Sequence, residues 1–273
     1  GPIKLDSTAQ SWKVMLHEVC RQAEACHDEF LVIVLLDELP YMLDSLDDAT
    51  AREVMDVLRE IRSSRLRLRF VFCGSIGLHH VLQRLRAPGR SWAPINDMWQ
   101  RDLPVLTESD AIELARDLLV NAGIECSEPE DVARVIATEA CCVPYYVHCA
   151  VKEIRDRATG PADAAAARKL FRSAAEHTDD PLQLRHYVDR VPAYFPAESD
   201  LVCAVLDAVS SKDSGLPFDE LRRVVSAELT VDDHRLREVL DLLERDHYTE
   251  RPTGRIRFRL PIVRRAWRHW RYL

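Results

Sequence analysis

The stretch Phe30-Leu31-Val32-Ile33-Val34-Leu35-Leu36-Asp37-Glu38-Leu39-Pro40 decides how the chain is read. Seven apolar residues run without interruption and end in two adjacent carboxylates. A Val/Ile/Leu run with no alternation predicts a strand buried on both faces, and therefore a parallel sheet covered by helices. Charges do not belong inside such a strand. Asp37 and Glu38 are expected just past its carboxyl end, the edge where open α/β sheets bind ligands. From the residues alone the pair has two uses. A carboxylate oxygen suits a hard cation such as Mg²⁺; equally, Asp37 or Glu38 would serve as the acidic N-cap of the next helix.

Outward from this stretch, residues 7–28 read as an amphipathic helix, with Trp12, Met15, Leu16, Val19 and Cys20 on one face and Ser7 or Thr8 as cap. Residues 47–64 form a second helix, with Asp47 and Asp48 at its start. A second apolar strand, Phe70-Val71-Phe72-Cys73, ends in Gly74-Ser75-Ile76-Gly77. Strand, helix and strand in this order make a parallel βαβ unit. Gly74-Ser75 is by itself a turn that needs small residues. Leu78–Leu85 is a short helix and Ala87–Pro94 a Pro/Gly/Ser loop. Arg84, Arg86, Arg90 and Arg101 are candidate phosphate or partner contacts, though each taken alone reads more simply as a solvated surface arginine.

Leu103-Pro104-Val105-Leu106 reads as a short strand, and Thr107 opens a helix over 108–121 that Gly123 stops. Ser127 and Glu130 have the spacing of a capping box for a helix over 128–140. Cys141-Cys142-Val143-Pro144 then leads into a helix over 145–158. An Ala-rich helix covers 162–176, another ends near Arg190, and Pro192–Pro196 reads as a linker. The last module has helices over 199–210, from Pro217, and over 231–245. A hairpin turning at Arg251-Pro252-Thr253-Gly254 and a final helix over 261–272 complete it.

The run ending in Asp37-Glu38 resembles a Walker B motif of P-loop ATPases, in the Asp-Glu form of AAA+ proteins and their relatives. That resemblance implies a fold of α/β class, helix-rich, with a partial parallel-sheet ATPase core over 3–102. It further implies a helical lid over 103–160, a helical linker over 161–198 and a C-terminal winged helix-turn-helix over 199–273. Asp37 would help hold Mg²⁺, Glu38 would polarise the attacking water, and Ser75 would stand at the sensor 1 position near the γ-phosphate. The Cys141–Pro144 turn resembles the Gly-Gly-x-Pro turn of archaeal-type and signal-transduction (STAND) ATPases, which implies that Pro144 borders the adenine of ATP. Both glycines are cysteine here. Glycine is tolerated at positive φ and cysteine is expected not to be, so the backbone there is expected to differ.

Composition bounds these expectations. The 273 residues carry 37 basic and 45 acidic side chains, a net charge of −8, which argues against nucleic acid as the dominant partner. No apolar run approaches the ~18 residues of a membrane span, so no membrane role is expected. Eight cysteines without a Cys-x-x-Cys pair read as free thiols in a reducing cytoplasm. Gly1-Pro2 resembles the scar of a cleaved purification tag, which implies that the natural chain begins upstream. None of the five lysines follows a glycine, so the sequence holds no Gly-x-x-x-x-Gly-Lys-Ser/Thr phosphate loop.

Three readings follow. The first is the Walker B-to-C-terminal portion of an ATP-dependent regulatory switch, inactive alone and working in a homo-oligomer or with a protein partner. The second is a non-catalytic scaffold. The third is a winged-helix DNA binder using Arg255, Arg257, Arg259, Arg264 and Arg265. The helix over 231–245 is acidic on its outer side, which disfavours placing it against phosphates.

Overall fold

The computed structural model describes residues 11–25, 30–74, 77–86, 92–157, 160–174 and 176–273. They belong to two compact units, Gly1–Arg101 and Asp102–Leu273.

In the first unit the apolar periodicity gives helix α1 (Trp12–Ala25), strand β1 (Val32–Leu36), helices α2 (Leu39–Asp44) and α3 (Asp48–Ser64), strand β2 (Leu68–Phe72) and helix α4 (Leu78–Leu85). Asp47 caps α3, accepting from the amides of Ala49 and Thr50. β1 and β2 pair in parallel, with Val32 opposite Leu68 and Leu36 opposite Phe72. The βαβ expectation is therefore met.

The expectation of a strand buried on both faces is not. Val32, Val34, Leu36, Leu68, Phe70 and Phe72 pack into a core with Leu43, Met55, Leu58, Ile61 and Leu85. On the other face Ile33 is 57% exposed and Leu35 68% exposed. Among the described residues helices cover one side of the sheet only, so an unbroken apolar run lies half in a core and half bare.

The second unit begins with an extended segment. Leu103–Leu106, expected as a strand, pairs with no strand among the described residues; Pro104 lacks a donor and Leu103 is exposed. A single backbone bond, from the Leu106 amide to the Cys142 carbonyl at 3.0 Å, ties it down. Helices α5 (Glu108–Asn121), α6 (Pro129–Glu139), α7 (Pro144–Arg157) and α8 (Ala164–Ala174) follow. Thr107 caps α5 through the Asp110 amide. The capping box expected at Ser127 and Glu130 does not form. Glu128 is the N-cap of α6, and the Ser127 amide donates instead to the Ala162 carbonyl at 3.1 Å.

One-turn helix α9 (His186–Asp189) lies in the segment read as a helix ending near Arg190, and one-turn helix α10 (Val191–Tyr194) occupies the proline-bearing stretch read as a linker. Val191 and Phe195 there are buried in the core, so the prolines shape a packed connection. The chain ends in α11 (Ser199–Ser210), β3 (Leu216–Pro217), α12 (Phe218–Ser226), α13 (Asp233–Arg245), β4 (Thr249–Glu250), β5 (Arg255–Phe258) and α14 (Pro261–Trp270). The three strands form an antiparallel sheet in the order β3-β5-β4. Thr253 and Gly254, at φ 53° and 78°, turn the chain between β4 and β5.

One joint organises this unit. The Arg190 guanidinium lies between the rings of Tyr187 and Tyr248, at 4.3 and 4.5 Å from their centroids. Its Nε donates to the Tyr248 hydroxyl at 2.8 Å, and that hydroxyl donates to the Tyr187 carbonyl at 2.7 Å. Tyr146 of α7 reaches the Tyr187 hydroxyl at 3.4 Å. Aromatic faces and neutral acceptors hold a half-buried cation here, and the nearby Asp246 charge favours it.

Candidate functional site

β1 delivers Asp37 and Glu38 to the carboxyl end of the sheet, both exposed. The ends of the two strands are sewn together beneath them. The Cys73 amide donates to the Leu36 carbonyl at 3.1 Å, and the Leu39 amide donates to the Cys73 carbonyl at 3.2 Å. Asp37 Oδ1 accepts the Glu38 amide at 3.0 Å, which fixes one carboxylate oxygen against the turn.

Glu38 sits at φ 52°, ψ 29°, the left-handed region, at the N-cap position of α2. Its side chain makes no capping hydrogen bond. A β-carbon-bearing residue held there costs on the order of 1–3 kcal/mol, and such residues cluster at functional sites. The helix-cap reading of the acidic pair is thus not what the geometry uses Glu38 for.

Gly74 explains how β2 comes so close. A Cβ at Gly74 would stand 2.6 Å from Pro40 Cδ and 3.5 Å from the Glu38 Cα, so only glycine fits beside the acidic turn. Cys73 is the other neighbour that sequence reading missed. Its thiol is pushed above its ordinary value by desolvation, by a hydrogen bond with Asp37 and by the charges of Asp37 and Glu38. The one available signal was a glycine directly after an apolar strand. Ser75 lies outside the described residues.

Pro144 belongs to the second unit, where it is exposed as the first residue of α7. The turn before it corrects the expectation about its cysteines. Cys141 and Cys142 have φ of 54° and 56°, the conformation that glycine favours. The Cys141 amide donates to the Thr138 carbonyl at 3.0 Å and the Cys142 amide to the Ala137 carbonyl at 2.9 Å, closing a Schellman motif on α6. α5 ends in the same motif with Gly123 at φ 66°.

Cysteine adopts the turn because its surroundings over-determine it. The Cys142 carbonyl accepts from Leu106, the Cys141 sulfur accepts from the Ile262 amide, and Arg265 pairs with Glu139 at 3.1 Å. Burial pushes the Cys141 thiol up against the opposing pull of that amide and of Arg265.

The basic tail is largely engaged inside its own unit. Arg255 donates to the Ser214 and Gly215 carbonyls at 3.0 and 2.6 Å, and Arg257 pairs with Glu250. Arg259 bonds the His247 ring, Arg264 pairs with Asp213, and Arg265 with Glu139. Of the arginines read as solvated, Arg84 pairs with Asp44 and Asp48 at 3.6 and 3.5 Å. Arg101 stacks 5.2 Å from the Trp99 centroid, and Arg90 lies outside the described residues.

No protein-family model matches this sequence, and no curated protein matches it. Among solved structures, a Walker-type ATPase of Pyrococcus abyssi superposes with a TM-score of 0.66 at 15% sequence identity. The match covers 95% of this chain and 69% of that one. At such identity the likeness is one of fold alone: the chain shares the helix-rich α/β architecture of that structure.

Proposed function

We propose that this chain is the Walker B-bearing portion of an ATP-dependent regulatory switch of the AAA+/STAND type. The observation that carries the reading is the exposed Asp37-Glu38 pair at the carboxyl end of a parallel strand, with Glu38 strained and not acting as a side-chain cap. Asp37 offers a carboxylate oxygen to a hard cation, which fits Mg²⁺. Glu38 would position and polarise the attacking water. Mg²⁺·ATP, when bound, supplies the phosphoryl group and the charge that draws the nucleophile in. Ser75 takes the sensor role and the exposed Pro144 the adenine contact on the same reading.

The phosphate-binding lysine is not among these 273 residues. On this reading tight nucleotide binding needs a phosphate loop that these residues do not supply. We read α5–α7 as the lid, the segment from α8 to α10 as the connection, and α11–α14 with β3–β5 as a winged helix. On this reading the chain works in the cytoplasm, where Mg²⁺·ATP is abundant. Among the described residues no helix is long and apolar enough to cross a membrane. A homo-oligomer or a protein partner fits the regulatory role better than DNA, because Arg255, Arg257, Arg259, Arg264 and Arg265 each already hold an intramolecular partner.

The alternative is a non-catalytic scaffold on the same fold, favoured by the missing lysine. Phosphate release from Mg²⁺·ATP by the purified chain tests the primary reading. No turnover is expected, and turnover that Glu38→Gln leaves intact would overturn it.

A further inference from the structure

Between α7 and α8 the second unit holds a cavity of about 570 Å³. Its walls are small and apolar because α8 is rich in alanine: Ala166, Ala167 and Ala174 line it together with Ile154, Pro161 and Leu170. Methyl groups fill little space, so the gap between the two helices stays open. The segment joining them is pinned in place. The Ala162 amide donates to the Glu125 carbonyl at 2.7 Å, and the Ala162 carbonyl accepts from the Ser127 amide at 3.1 Å. A preformed apolar cleft of this size is in the range of small-molecule sites, and a single amino acid would leave much of it empty.

Charged side chains give the cavity a direction. Glu153 lines it, and its side chain is only 11% exposed. Arg157, one turn further along α7, is its one partner among the described residues, meeting Oε1 through Nε. A carboxylate offers about four lone-pair sites. A buried one with a single partner therefore favours a further donor, and a cationic donor most. Arg157, Lys169 and His177 line the solvent side, where they are exposed or half-exposed. Asp179 draws two of these, Arg157 at 3.8 Å and His177 at 3.4 Å. Lys169 has no acidic partner among the described residues. The cavity thus joins a buried acceptor to an exposed cation through an apolar wall.

We propose that this cavity binds a short apolar peptide with both ends free, its ammonium group on Glu153 and its carboxylate on Lys169. The ligand enters amino end first, because the carboxylate that takes the ammonium is buried and the lysine that takes the other end is exposed. Its two side chains rest against Ile154, Leu170 and the alanines of α8. An apolar acid brings no donor for Glu153, and an apolar amine brings no acceptor for Lys169, so a zwitterion is the class that satisfies both. The buried contact discriminates strongly, and the solvent-screened contact at Lys169 discriminates less. This inference stands on α7 and α8, independently of the ATPase reading.

The test is titration of the isotope-labelled full chain with leucyl-leucine, followed by amide chemical shifts. Saturable shifts centred on Ile154, Ala167 and Leu170 are expected, with a Kd of about 0.1–1 mM for a ligand of this size. N-acetyl-leucyl-leucine, which has no ammonium, should bind at least about tenfold more weakly. Leucyl-leucinamide, which has no carboxylate, should bind about three- to fivefold more weakly. Lys169→Met, at an exposed position, should equalise leucyl-leucine and its amide while keeping the penalty on the acetylated peptide. Glu153→Gln should instead remove that penalty; should it unsettle α7, Lys169→Met decides the matter alone. The proposal is overturned by an absence of saturable shifts up to about 10 mM peptide, or by shifts centred away from α7 and α8. Equal binding of the acetylated peptide, or a preference over the amide that Lys169→Met leaves in place, overturns it too.

Discussion

Gly74 lies so close to Pro40 that a β-carbon on it would stand 2.6 Å from the proline Cδ. This contact brings the end of β2 under the Asp37-Glu38 turn. Gly74→Ala must push the pyrrolidine ring or the strand end aside, since a proline ring cannot swing away. The expected cost is about 1–3 kcal/mol, the usual range for overpacking. Urea unfolding of the variant measures it, with amide shifts at Asp37 and Glu38 reporting the displaced turn. Unchanged stability would mean that the strand end gives way freely.

The same backbone conformation closes α5 with Gly123 and α6 with Cys141, and the two sites should respond in opposite directions. Gly123 has open space where a Cβ would go, so its cost on substitution is conformational alone. Gly123→Ala is expected to destabilise by about 1 kcal/mol. Cys141→Gly removes left-handed strain but frees the unfolded chain, leaving a net gain of roughly 0.5 kcal/mol. Denaturant midpoints of both variants decide this. A loss on Cys141→Gly would show that the cysteine sulfur, through its contact with Ile262, outweighs the strain.

The comparison of α5 with α6 shows what the sequence makes readable. Gly123 announces its turn, and the periodicity of α3, α5, α6, α7 and α13 announces those helices. No glycine announces that Cys141, Cys142, Glu38 and His247 adopt positive φ. The Phe30–Leu36 run shows the limit from the other side. Apolarity predicts burial, but it cannot tell which of two faces the helices will cover. Leu103–Leu106 has strand composition and lacks a strand to pair with. At the candidate site, Asp37 and Glu38 were legible as a strand-end acidic pair. The packing of Gly74 and the thiol of Cys73 were not, since both depend on register between strands far apart in sequence. Nor could a run of arginines reveal that its members are spent on carbonyls and carboxylates nearby.

Arg190 predicts a sharp sensitivity. Its guanidinium fills the space between Tyr187 and Tyr248 and satisfies the Tyr248 hydroxyl and the Asp246 carbonyl, the latter at 3.2 Å. Arg190→Met keeps some of the packing and loses the hydrogen bonds and ring contacts, for an expected loss of about 2–4 kcal/mol. Arg190→Lys should recover little, because a point charge cannot reproduce the planar fork. Thermal unfolding of the two variants checks both statements.

Two histidines set a pH dependence for the second unit. Burial, with help from neighbouring Arg259, holds the His247 ring below its ordinary value of 6.5, and burial does the same to His186. A depressed histidine leaves the unfolded state binding more protons, so stability rises with pH across the interval. It is complete above 6.5 and falls as pH drops from there toward the folded values. His247→Asn keeps the left-handed turn and removes the titration. The pH slope of the unfolding midpoint between about 7 and 5 should shrink in that variant; an unchanged slope would assign the effect elsewhere.

On the function proposed above, Asp37 at the end of β1 holds a hard divalent cation. Mn²⁺ in place of Mg²⁺ tests this directly, because paramagnetic broadening of amide signals reports even weak occupancy. The account predicts broadening centred on the amides of Leu36 to Leu39, removed by Asp37→Asn with the rest of the spectrum unchanged. Broadening centred on other carboxylates, or unaffected by Asp37→Asn, would contradict it.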